Sequence, residues 1–280
     1  MVKPKVAAIV VFFRPKPADL INLRKFANLE KTLIVDNSEE EWEASAELPD
    51  NYSYRWLGGN LGIGHALNVG CSEAFEAGYD FALTMDQDSS FDSDSLAHHL
   101  SSAESIFRDD CVAIIAANYG YLNSTSPTGV IERASVITSG NLLRLTAWKK
   151  VGGFREDYFI DQVDHEFCYK LRHNGYKVVL NRDVAFHHEV GEPVSFKILG
   201  WRIVSSNHSA ERRYYQMRNS LFLREDYPQY AKKTRLYLFD LIVTMLGILI
   251  AEPARFSKFF AIFVGFRHYR KRKHGKWAGL

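Results

Sequence analysis

Three apolar runs in the first third of the chain constrain its fold most strongly. They cover Val6–Phe13, Thr32–Val35 and Phe81–Met85, and the second and third lead straight into polar turns that contain Asp. Continuous apolar runs of this kind are typical of strands covered on both faces. Ile63–Ala77 has the apolar spacing of a helix, and Gly78 follows it as a C-cap. Because strands alternate with helices, we predict an α/β fold with a mostly parallel sheet flanked by helices.

Composition narrows the class of protein. A chain of 280 residues with 46% hydrophobic and 14% aromatic residues can form one large domain, or one domain with an appendage. The net charge of +2 is too small to indicate a nucleic-acid-binding protein. Cys71, Cys111 and Cys168 are scattered, which argues against a disulfide framework and fits a reducing cytoplasm. The first residues lead directly into a strand-like run, so we expect no signal peptide.

Acidic side chains follow two of the predicted strands. Asp36 comes after Thr32–Val35, while Asp86 and Asp88 come after Phe81–Met85. Ligands of parallel sheets collect at the carboxyl ends of the strands. Two carboxylates one residue apart at such an end can hold Mg²⁺ or Mn²⁺ against the phosphates of a substrate. The alternative at both positions is a plain turn or a helix cap, where Asp and Ser also cluster.

Two predicted helices begin with polar residues. Asn60 and Gly62 form a loop before Ile63–Ala77, where backbone N–H groups can approach a phosphate or sugar closely. A second helix is predicted over residues 161–173, and its start carries three acids: Asp161, Asp164 and Glu166. Acids are favoured in a first helical turn on electrostatic grounds alone. Their functional interpretation is that one of them accepts a proton from a substrate hydroxyl.

The segments that follow are more mixed. Short strands are predicted over Val178–Leu180 and Val184–Phe186, and they lead to His187 and His188. A histidine near two carboxylates can complete a metal site, although a histidine pair without that context is more often structural. Ser195–Arg224 is long, basic and aromatic, and we predict that it is helical.

The C-terminal part changes in character again. Leu236–Ile250 is strongly apolar but shorter than the roughly 20 residues that a membrane span needs, so we predict a buried or docking helix. Phe256–Lys273 places aromatic and aliphatic residues ahead of a basic cluster, which suits a helix lying on an anionic membrane surface. The alternatives for this segment are a solvated basic tail and a nucleic-acid contact.

The order of the motifs carries a resemblance that no single motif does. The motifs are VAAIVVFFRP, TLIVDNS, GGNLGIGHALNVG, LTMDQDSSF, TSGNLLR, GGFREDYFIDQVDHEFCYKLRHNGY, HHEVGE and RRYYQMRNSLFLREDY, spread over residues 5–227. In this order the chain resembles the family 2 glycosyltransferases with the GT-A fold. DQDS and FIDQVDHE make it most similar to the bacterial rhamnosyltransferases of surface-polysaccharide synthesis. The resemblance implies a Rossmann-like GT-A domain over residues 1–225 and a helical, basic extension over residues 226–280.

The resemblance also implies roles for individual residues. Asp164 would be the catalytic base, Asp88 would ligate the metal, and Asp86 would contact the donor ribose or the metal through water. His188 would complete the metal site. The further residues implied in donor binding are Asp36, Asn60, Gly62, Arg212, Tyr215, Arg218 and Asn219. Those placed on the acceptor side or left without a settled role are Asp161, Glu166, His187, Gly140 and Asn141.

The expected activity follows from these roles. We expect an inverting glycosyltransferase that depends on Mg²⁺ or Mn²⁺ and transfers L-rhamnose from dTDP-L-rhamnose to a lipid-linked or growing glycan such as an O-antigen. We expect it in the cytoplasm, attached through its C-terminal segment to the inner face of the cytoplasmic membrane, with no nucleic-acid partner. One alternative keeps the mechanism with a UDP-hexose or UDP-galactofuranose donor. The other is a non-catalytic module that binds sugar nucleotides.

Overall fold

The chain forms two compact units in the computed structural model. The structure describes residues 4–17, 19–26, 29–43, 48–119, 127–188, 194–198, 201–230 and 234–279. The first unit comprises residues 1–156 and 163–189, and the second comprises residues 157–162 and 190–280. The prediction that the catalytic domain ends at residue 225 stays a prediction. The division into compact units is a different one, and most of the second unit lies from residue 190 onward.

The first unit is built around a single mixed sheet. Its strands are β1 (Val6–Phe12), β2 (Lys31–Asp36), β3 (Tyr52–Trp56), β4 (Phe81–Asp86), β5 (Ser89–Ser90), β6 (Val112–Tyr119), β7 (Val130–Glu132), β8 (Asn141–Arg144) and β9 (Lys177–His188). Its helices are α1 (Asp19–Arg24), α2 (Ile63–Glu76), α3 (Ser93–Ile106), α4 (Leu145–Val151) and α5 (Val163–His173). The strand order is β3-β2-β1-β4-β8-β6-β9-β5, with β7 beside β9.

Strand direction confirms the predicted α/β architecture. Strands β1 to β4 run parallel to one another, as do β6 and β9, while β8 runs antiparallel between β4 and β6. In this register Phe12 lies opposite Asp36, and Val11 lies opposite Asp86. Asp36 and Asp86 are therefore brought to the same edge of the sheet, at the carboxyl ends of their strands.

Helices cover both faces of the sheet, which explains why β1 is apolar throughout. Successive side chains of a strand point to opposite faces. Ala8 and Val10 belong to the core that also contains Leu96 of α3. Ile9 faces α2 instead, where a Cβ on Gly70 would lie 2.5 Å from the Ile9 Cγ2 atom. Both faces of β1 are thus packed.

The two short strands predicted before the histidine pair are one strand. β9 runs without a break from Lys177 to His188, and its pairing with β6 shifts register where Ala117 faces Asn181 and Asn118 faces Ala185. A bulge of this kind absorbs extra residues without ending the strand. The continuous strand carries His188 to a position opposite Ser89 of β5.

Over its described residues, the second unit combines a hairpin with three helices. Its elements are β10 (Val194–Ile198), β11 (Trp201–Ser205), α6 (Ala210–Asp226), α7 (Thr234–Ile250) and α8 (Arg255–Arg270). The prediction that Ser195–Arg224 is helical throughout is wrong in its first part, because β10 and β11 form an antiparallel pair. Both strands are rich in β-branched and aromatic residues, which favour strands. Helix α6 begins after Ser209, whose side chain accepts a hydrogen bond from the Arg212 backbone N–H.

Close packing and a buried ion cluster hold the second unit together. Gly265 of α8 lies so close to α6 that a Cβ there would be 2.6 Å from the Tyr214 carbonyl oxygen. The Glu252 carboxylate is fully buried, with Arg213 at 2.6 Å and Lys258 at 2.7 Å. Burial works to raise the pKa of Glu252, but the hydrogen bonds from Lys258 and Ser205 outweigh it and lower the pKa. Glu252 is thus held in its charged form.

Helix α7 leaves much of its apolar surface exposed. Its exposed large apolar residues are Leu236, Leu238, Phe239, Ile242, Leu246, Leu249 and Ile250. Within this helix Ile248 is buried. Over the part of the chain that the structure describes, no helix combines the length and the apolar character needed to cross a membrane.

Candidate active site

Three side chains with metal-ligand chemistry meet at the carboxyl edge of the sheet. Asp86 ends β4, Asp88 lies in the following turn, and His188 ends β9. They converge because β5 continues the turn and pairs with the end of β9. Each of the three offers a ligand atom, and these atoms all lie within 4.8 Å of one another. The Asp88 Oδ1 atom is 3.4 Å from His188 Nδ1.

The donor set fits a divalent cation. Two carboxylates and an imidazole suit Mn²⁺-type ions, and Mg²⁺ accepts the carboxylate oxygens. Burial works to raise the pKa of Asp88, but the hydrogen bond and charge of His188, together with hydrogen bonds from Ser89 and the backbone, outweigh it and hold the pKa below its ordinary value. Asp88 is therefore ionised, as a ligand must be. His187, the preceding residue of β9, is exposed and lies outside this cluster.

Gln87, between the two aspartates, anchors the turn. Its Oε1 atom accepts a hydrogen bond from the Phe13 backbone N–H at 2.6 Å. Its Nε2 atom donates to Asp19 at 3.2 Å, and its carbonyl oxygen accepts from the Asn22 side chain at 3.1 Å. These contacts tie the turn to the end of β1 and to α1, and so fix where Asp86 and Asp88 point.

Asp36 lies inside the protein at the end of β2. Its side chain is fully buried, and its carboxylate accepts hydrogen bonds from the Ser38 backbone N–H at 2.9 Å and the Tyr54 hydroxyl at 2.6 Å. These bonds tie the turn after β2 to the end of β3. The predicted contact between Asp36 and a nucleotide base stays a prediction, and in this structure both carboxylate oxygens bind protein groups.

Asn37, to which sequence reasoning gave no role, joins that turn to the Asn60 loop. The Asn37 Oδ1 atom accepts from the Leu61 backbone N–H at 2.7 Å, and its Nδ2 atom donates to Asn60 Oδ1 at 3.1 Å. Gly62 has φ 95°, a conformation that favours glycine, and it leads directly into α2. The loop therefore lies beside the carboxyl end of β2. The signal that could have identified Asn37 from the sequence is its place directly after Asp36.

A polar corner, formed by residues 138–141, supports the turn that carries Asp86 and Asp88. Gly140 donates its backbone N–H to the Thr84 carbonyl at 2.9 Å, and Ser139 Oγ accepts from the Asp86 N–H at 3.1 Å. A Cβ on Gly140 would lie 2.7 Å from the Phe186 ring. Asn141 is buried at the start of β8. The structure thus places Gly140 and Asn141 in the scaffold of the site.

Asp164 is the second residue of α5, and a fraction of 23% of its side chain is exposed. Its Oδ1 atom lies 2.8 Å from the backbone nitrogen and 2.8 Å from the Nδ1 atom of His165. It lines a small cavity together with Thr138 and Asn141 of the polar corner. Burial works to raise the pKa of Asp164, but the hydrogen bond and charge of the His165 side chain, together with backbone hydrogen bonds, outweigh it and lower the pKa. An ionised, partly accessible carboxylate can accept a proton.

A wider cavity adjoins His165. It has a volume of about 520 Å³, and the residues lining it include Tyr119, Arg133, Ser135, Asn141 and His165. Tyr119 ends β6 with 63% of its surface exposed, and Arg133 is exposed as well. Tyr119, Arg133 and Ser135 escaped sequence reasoning, because they lie outside every motif.

The other two acids near Asp164 are held by basic partners. Glu166 is buried in α5, with Lys170 one turn further on and 3.3 Å away. Asp161 belongs to the second unit and forms a two-pronged ion pair with Arg212, at 2.6 and 3.1 Å. The helix predicted from Asp161 begins only at Val163, because Asp161 and Gln162 both have positive φ.

The α6 residues that the resemblance assigns to donor binding lie mostly in the interior of the second unit: they are Arg212, Tyr215, Arg218 and Asn219. Tyr215 and Asn219 are fully buried, and Arg218 is 1% exposed. Arg218 and Asn219 donate hydrogen bonds to backbone carbonyls, while Arg212 keeps 42% of its side chain exposed. Their predicted contacts with the donor stay predictions, and the contacts in the structure are with protein.

Comparison with known proteins identifies the class. No family model matches the chain. It is 30% identical over 214 residues to the dTDP-rhamnosyl transferase RfbF of Shigella flexneri. The aligned residues cover 69% of this chain and 70% of the relative. The chain therefore belongs to the family 2 glycosyltransferases with the GT-A fold and is rhamnosyltransferase-like. It is an enzyme, a glycosyltransferase.

Solved structures support the fold. GalNAc-T7, solved with UDP, GalNAc and Mn²⁺, matches 70% of this chain with a TM-score of 0.56 and 12% identity. TarS 1–349 of S. aureus matches 96% of this chain and 72% of that fragment, with a TM-score of 0.52 and 15% identity. The chain spans 44% of the GalNAc-T7 chain. At these identities the likeness shows the GT-A fold alone.

We expect His165→Asn to shift the pH dependence of transfer. The substitution removes the imidazole charge and its hydrogen bond, both of which lower the pKa of Asp164. The backbone hydrogen bonds remain, but burial would be less opposed, and the pKa of Asp164 should rise. A base with a higher pKa is protonated at higher pH, so the acidic limb of the kcat/KM profile should move to higher pH. His173→Asn at the exposed end of α5 is the matched control. An acidic limb that does not move would contradict the role of His165.

Proposed function

We propose that the protein transfers L-rhamnose from dTDP-L-rhamnose to a hydroxyl of a lipid-linked or growing surface polysaccharide, such as an O-antigen, with inversion at the anomeric carbon. The observation that supports the donor most directly is the similarity to RfbF, a dTDP-rhamnosyl transferase. The site supports the reaction class, because a carboxylate pair lies at the carboxyl edge of the sheet and a separate carboxylate, Asp164, lines a cavity with Thr138 and Asn141 of the polar corner.

Asp164 is assigned the proton chemistry. Its carboxylate accepts the proton of the acceptor hydroxyl while that oxygen bonds to the anomeric carbon. The bond between the anomeric carbon and the diphosphate oxygen breaks, and the electron pair leaves with the nucleoside diphosphate. Attack comes from the face opposite the leaving group, so a single displacement inverts the configuration.

Asp86, Asp88 and His188 are assigned the donor diphosphate. Their ligand atoms lie close enough together to hold one Mg²⁺ or Mn²⁺ ion. A cation bound there would neutralise charge on the leaving diphosphate. Asn60 and Gly62, at the start of α2, are assigned contacts with the donor through backbone N–H groups.

The cavity beside His165 is proposed to receive the acceptor. It opens next to the proposed base, and its lining combines an exposed tyrosine with the guanidinium of Arg133 and the hydroxyl of Ser135. Sugar rings pack on aromatic faces, and hydroxyl and guanidinium groups can hydrogen-bond to a glycan. The cavity is therefore suited to a carbohydrate.

Donor competition tests the rhamnose assignment. We expect purified protein with Mn²⁺ to release dTDP from dTDP-L-rhamnose at least about tenfold faster than it releases UDP from UDP-hexoses or UDP-galactofuranose, a difference of about 1.4 kcal/mol in transition-state binding. The Asp164→Asn variant is the control for release that is not enzymatic. Turnover of a UDP sugar with none of dTDP-L-rhamnose would contradict the donor and leave the reaction class standing.

Membrane attachment through the C-terminal helices is part of the proposal. The exposed aromatic residues of α8 are Phe256, Phe260, Phe263 and Phe266, and the basic residues that follow are Arg267, Arg270, Lys271, Arg272, Lys273 and Lys276. Apolar side chains can enter the acyl boundary while cations lie on anionic headgroups. The protein would thus act at the inner face of the cytoplasmic membrane, where a lipid-linked acceptor is accessible.

Flotation of the full chain with anionic vesicles tests this attachment. We expect the double variant Phe256→Ser, Phe260→Ser to float at least about tenfold less, because each phenylalanine that leaves the acyl region forfeits about 1.5–3 kcal/mol. Phe256 is 93% exposed, so its replacement should leave the fold intact. Ile21→Ser, an exposed apolar residue of α1, is the matched control. Equal flotation of all three proteins would contradict the attachment.

A further inference from the structure

The segment Asp157–Gln162 has an unusual backbone. These six residues belong to the second unit, although the chain on both sides of them belongs to the first. None of the six is glycine, yet three have positive φ: Phe159 at 66°, Asp161 at 61° and Gln162 at 67°. Such conformations are costly for L-residues and persist only where the surroundings hold them. Gln162 leads directly into α5, whose second residue is Asp164.

Buried side chains of α6 hold the backbone of this segment. The Asn219 Nδ2 atom lies 2.8–2.9 Å from the carbonyl oxygens of Tyr158, Ile160 and Asp161, which share its two N–H hydrogens. The Arg218 guanidinium donates to the carbonyl oxygens of Asp157 and Tyr158 at 3.2 and 3.1 Å. Carbonyl oxygens outside regular structure need such donors when they are buried. Helix α6 therefore supplies hydrogen bonds to four carbonyl oxygens of the segment.

The ion pair between Arg212 and Asp161 completes the hold. Arg212 Nη2 and Nε lie 2.6 and 3.1 Å from the two oxygens of the Asp161 carboxylate. The Asp161 side chain is 8% exposed, so this pair is shielded from solvent on the acidic side. A two-pronged guanidinium–carboxylate pair fixes orientation as well as distance. It acts one residue before Gln162, at the point where the chain turns into α5.

We infer that Arg212 and Asn219 are positioning residues for sugar transfer. They fix the conformation of Asp157–Gln162, and this conformation sets how α5 begins and therefore where the Asp164 carboxylate points. The inference rests on the proposed role of Asp164 as the base. Misplacing a reacting group by about 1 Å can cost about 100-fold in rate. The sequence instead predicts that Arg212 touches the donor, and the two roles differ in the kinetic constant that they affect.

Arg212→Ala tests the inference on the full-length protein. We expect kcat to fall by about 10- to 100-fold with the donor KM changed less than about twofold, because the base is misplaced and the donor is still bound. Amide hydrogen exchange over residues 157–166 should become faster, a readout that needs no activity. Arg212→Lys, which keeps the charge and loses the fork, should recover part of kcat. Arg55→Ala breaks an exposed ion pair to Glu73 at 2.9 Å and is the matched control, with kcat and exchange unchanged.

Three outcomes would overturn the inference. The first is a raised donor KM with unchanged kcat, which would make Arg212 a donor contact. The second is faster exchange with unchanged kcat, since the segment would then have no bearing on the base. The third is exchange over residues 157–166 that stays at the wild-type rate. If the wild-type protein transfers no sugar, the proposed function fails by itself, and the exchange measurement still decides whether Arg212 holds the segment.

Discussion

Asp164→Asn is expected to abolish sugar transfer while leaving donor binding intact. An amide has the shape of the carboxylate but cannot accept the proton of the acceptor hydroxyl, so kcat should fall by about 10²- to 10⁴-fold. The donor should still bind, because the groups assigned to the diphosphate are Asp86, Asp88 and His188. Two measurements check this: the rate of transfer at saturating substrate, and donor affinity by calorimetry in the presence of Mn²⁺.

The matched control for this substitution is Asp94→Asn. Asp94 lies in the first turn of α3, is exposed, and so has the same residue type and helical position as Asp164 without its site. Its replacement should leave kcat and donor affinity unchanged. Transfer by Asp164→Asn at the wild-type rate would remove Asp164 from its role as the base. Loss of donor affinity in step with kcat would instead make Asp164 a donor ligand.

The central sheet was predictable because its strands are apolar on both faces. Val6–Phe13 and Phe81–Met85 carry no polar residue but Thr84, and a strand covered on one face would alternate. The common location of the strand ends was predictable as well, since a parallel sheet has the carboxyl ends of its strands at one edge. This is why the proximity of Asp36 to the Asp86 turn could be expected.

The meeting of Asp88 and His188 depended on long-range pairing. A hundred residues separate them in the chain, and they are joined by β5, a strand of two residues that no periodicity reveals. The resemblance to glycosyltransferases supplied this contact where local pattern could not. The hairpin of β10 and β11 was missed for a related reason, because basic and aromatic composition does not separate strand from helix over short segments.

Some polar residues that look functional in the sequence instead form hydrogen bonds within the protein that support the fold. Gln87 pointed to the rhamnosyl branch, and in the structure its side chain binds Phe13 and Asp19. Arg218 has the chemistry of a diphosphate ligand, yet it is buried and donates to backbone carbonyls. Burial decides between these uses, and burial of a long polar side chain depends on tertiary packing that composition does not contain.

Substitutions in the Asp86–Asp88–His188 cluster are expected to have the other large effect. Asp88→Asn replaces a charged oxygen ligand by a neutral one and should lower kcat/KM by about 10²- to 10³-fold, since the stabilisation of leaving-group charge amounts to several kcal/mol. Manganese binding, measured by electron paramagnetic resonance, should weaken together with activity. After chelation removes the metal, added Mn²⁺ should restore activity in the wild-type protein but not in the variant.

His188→Ala and His187→Ala form a matched pair within the same strand. The ligand atom of His188 lies within 4.8 Å of those of Asp86 and Asp88, whereas His187 is exposed and outside the cluster. We therefore expect His188→Ala to weaken manganese binding by about 10- to 100-fold and His187→Ala to change it less than about twofold. Equal losses in the two variants would mean that the end of β9 matters as a strand and not through an imidazole ligand. Unchanged binding in both would leave the two aspartates as the protein's own ligands, with the donor diphosphate completing the coordination.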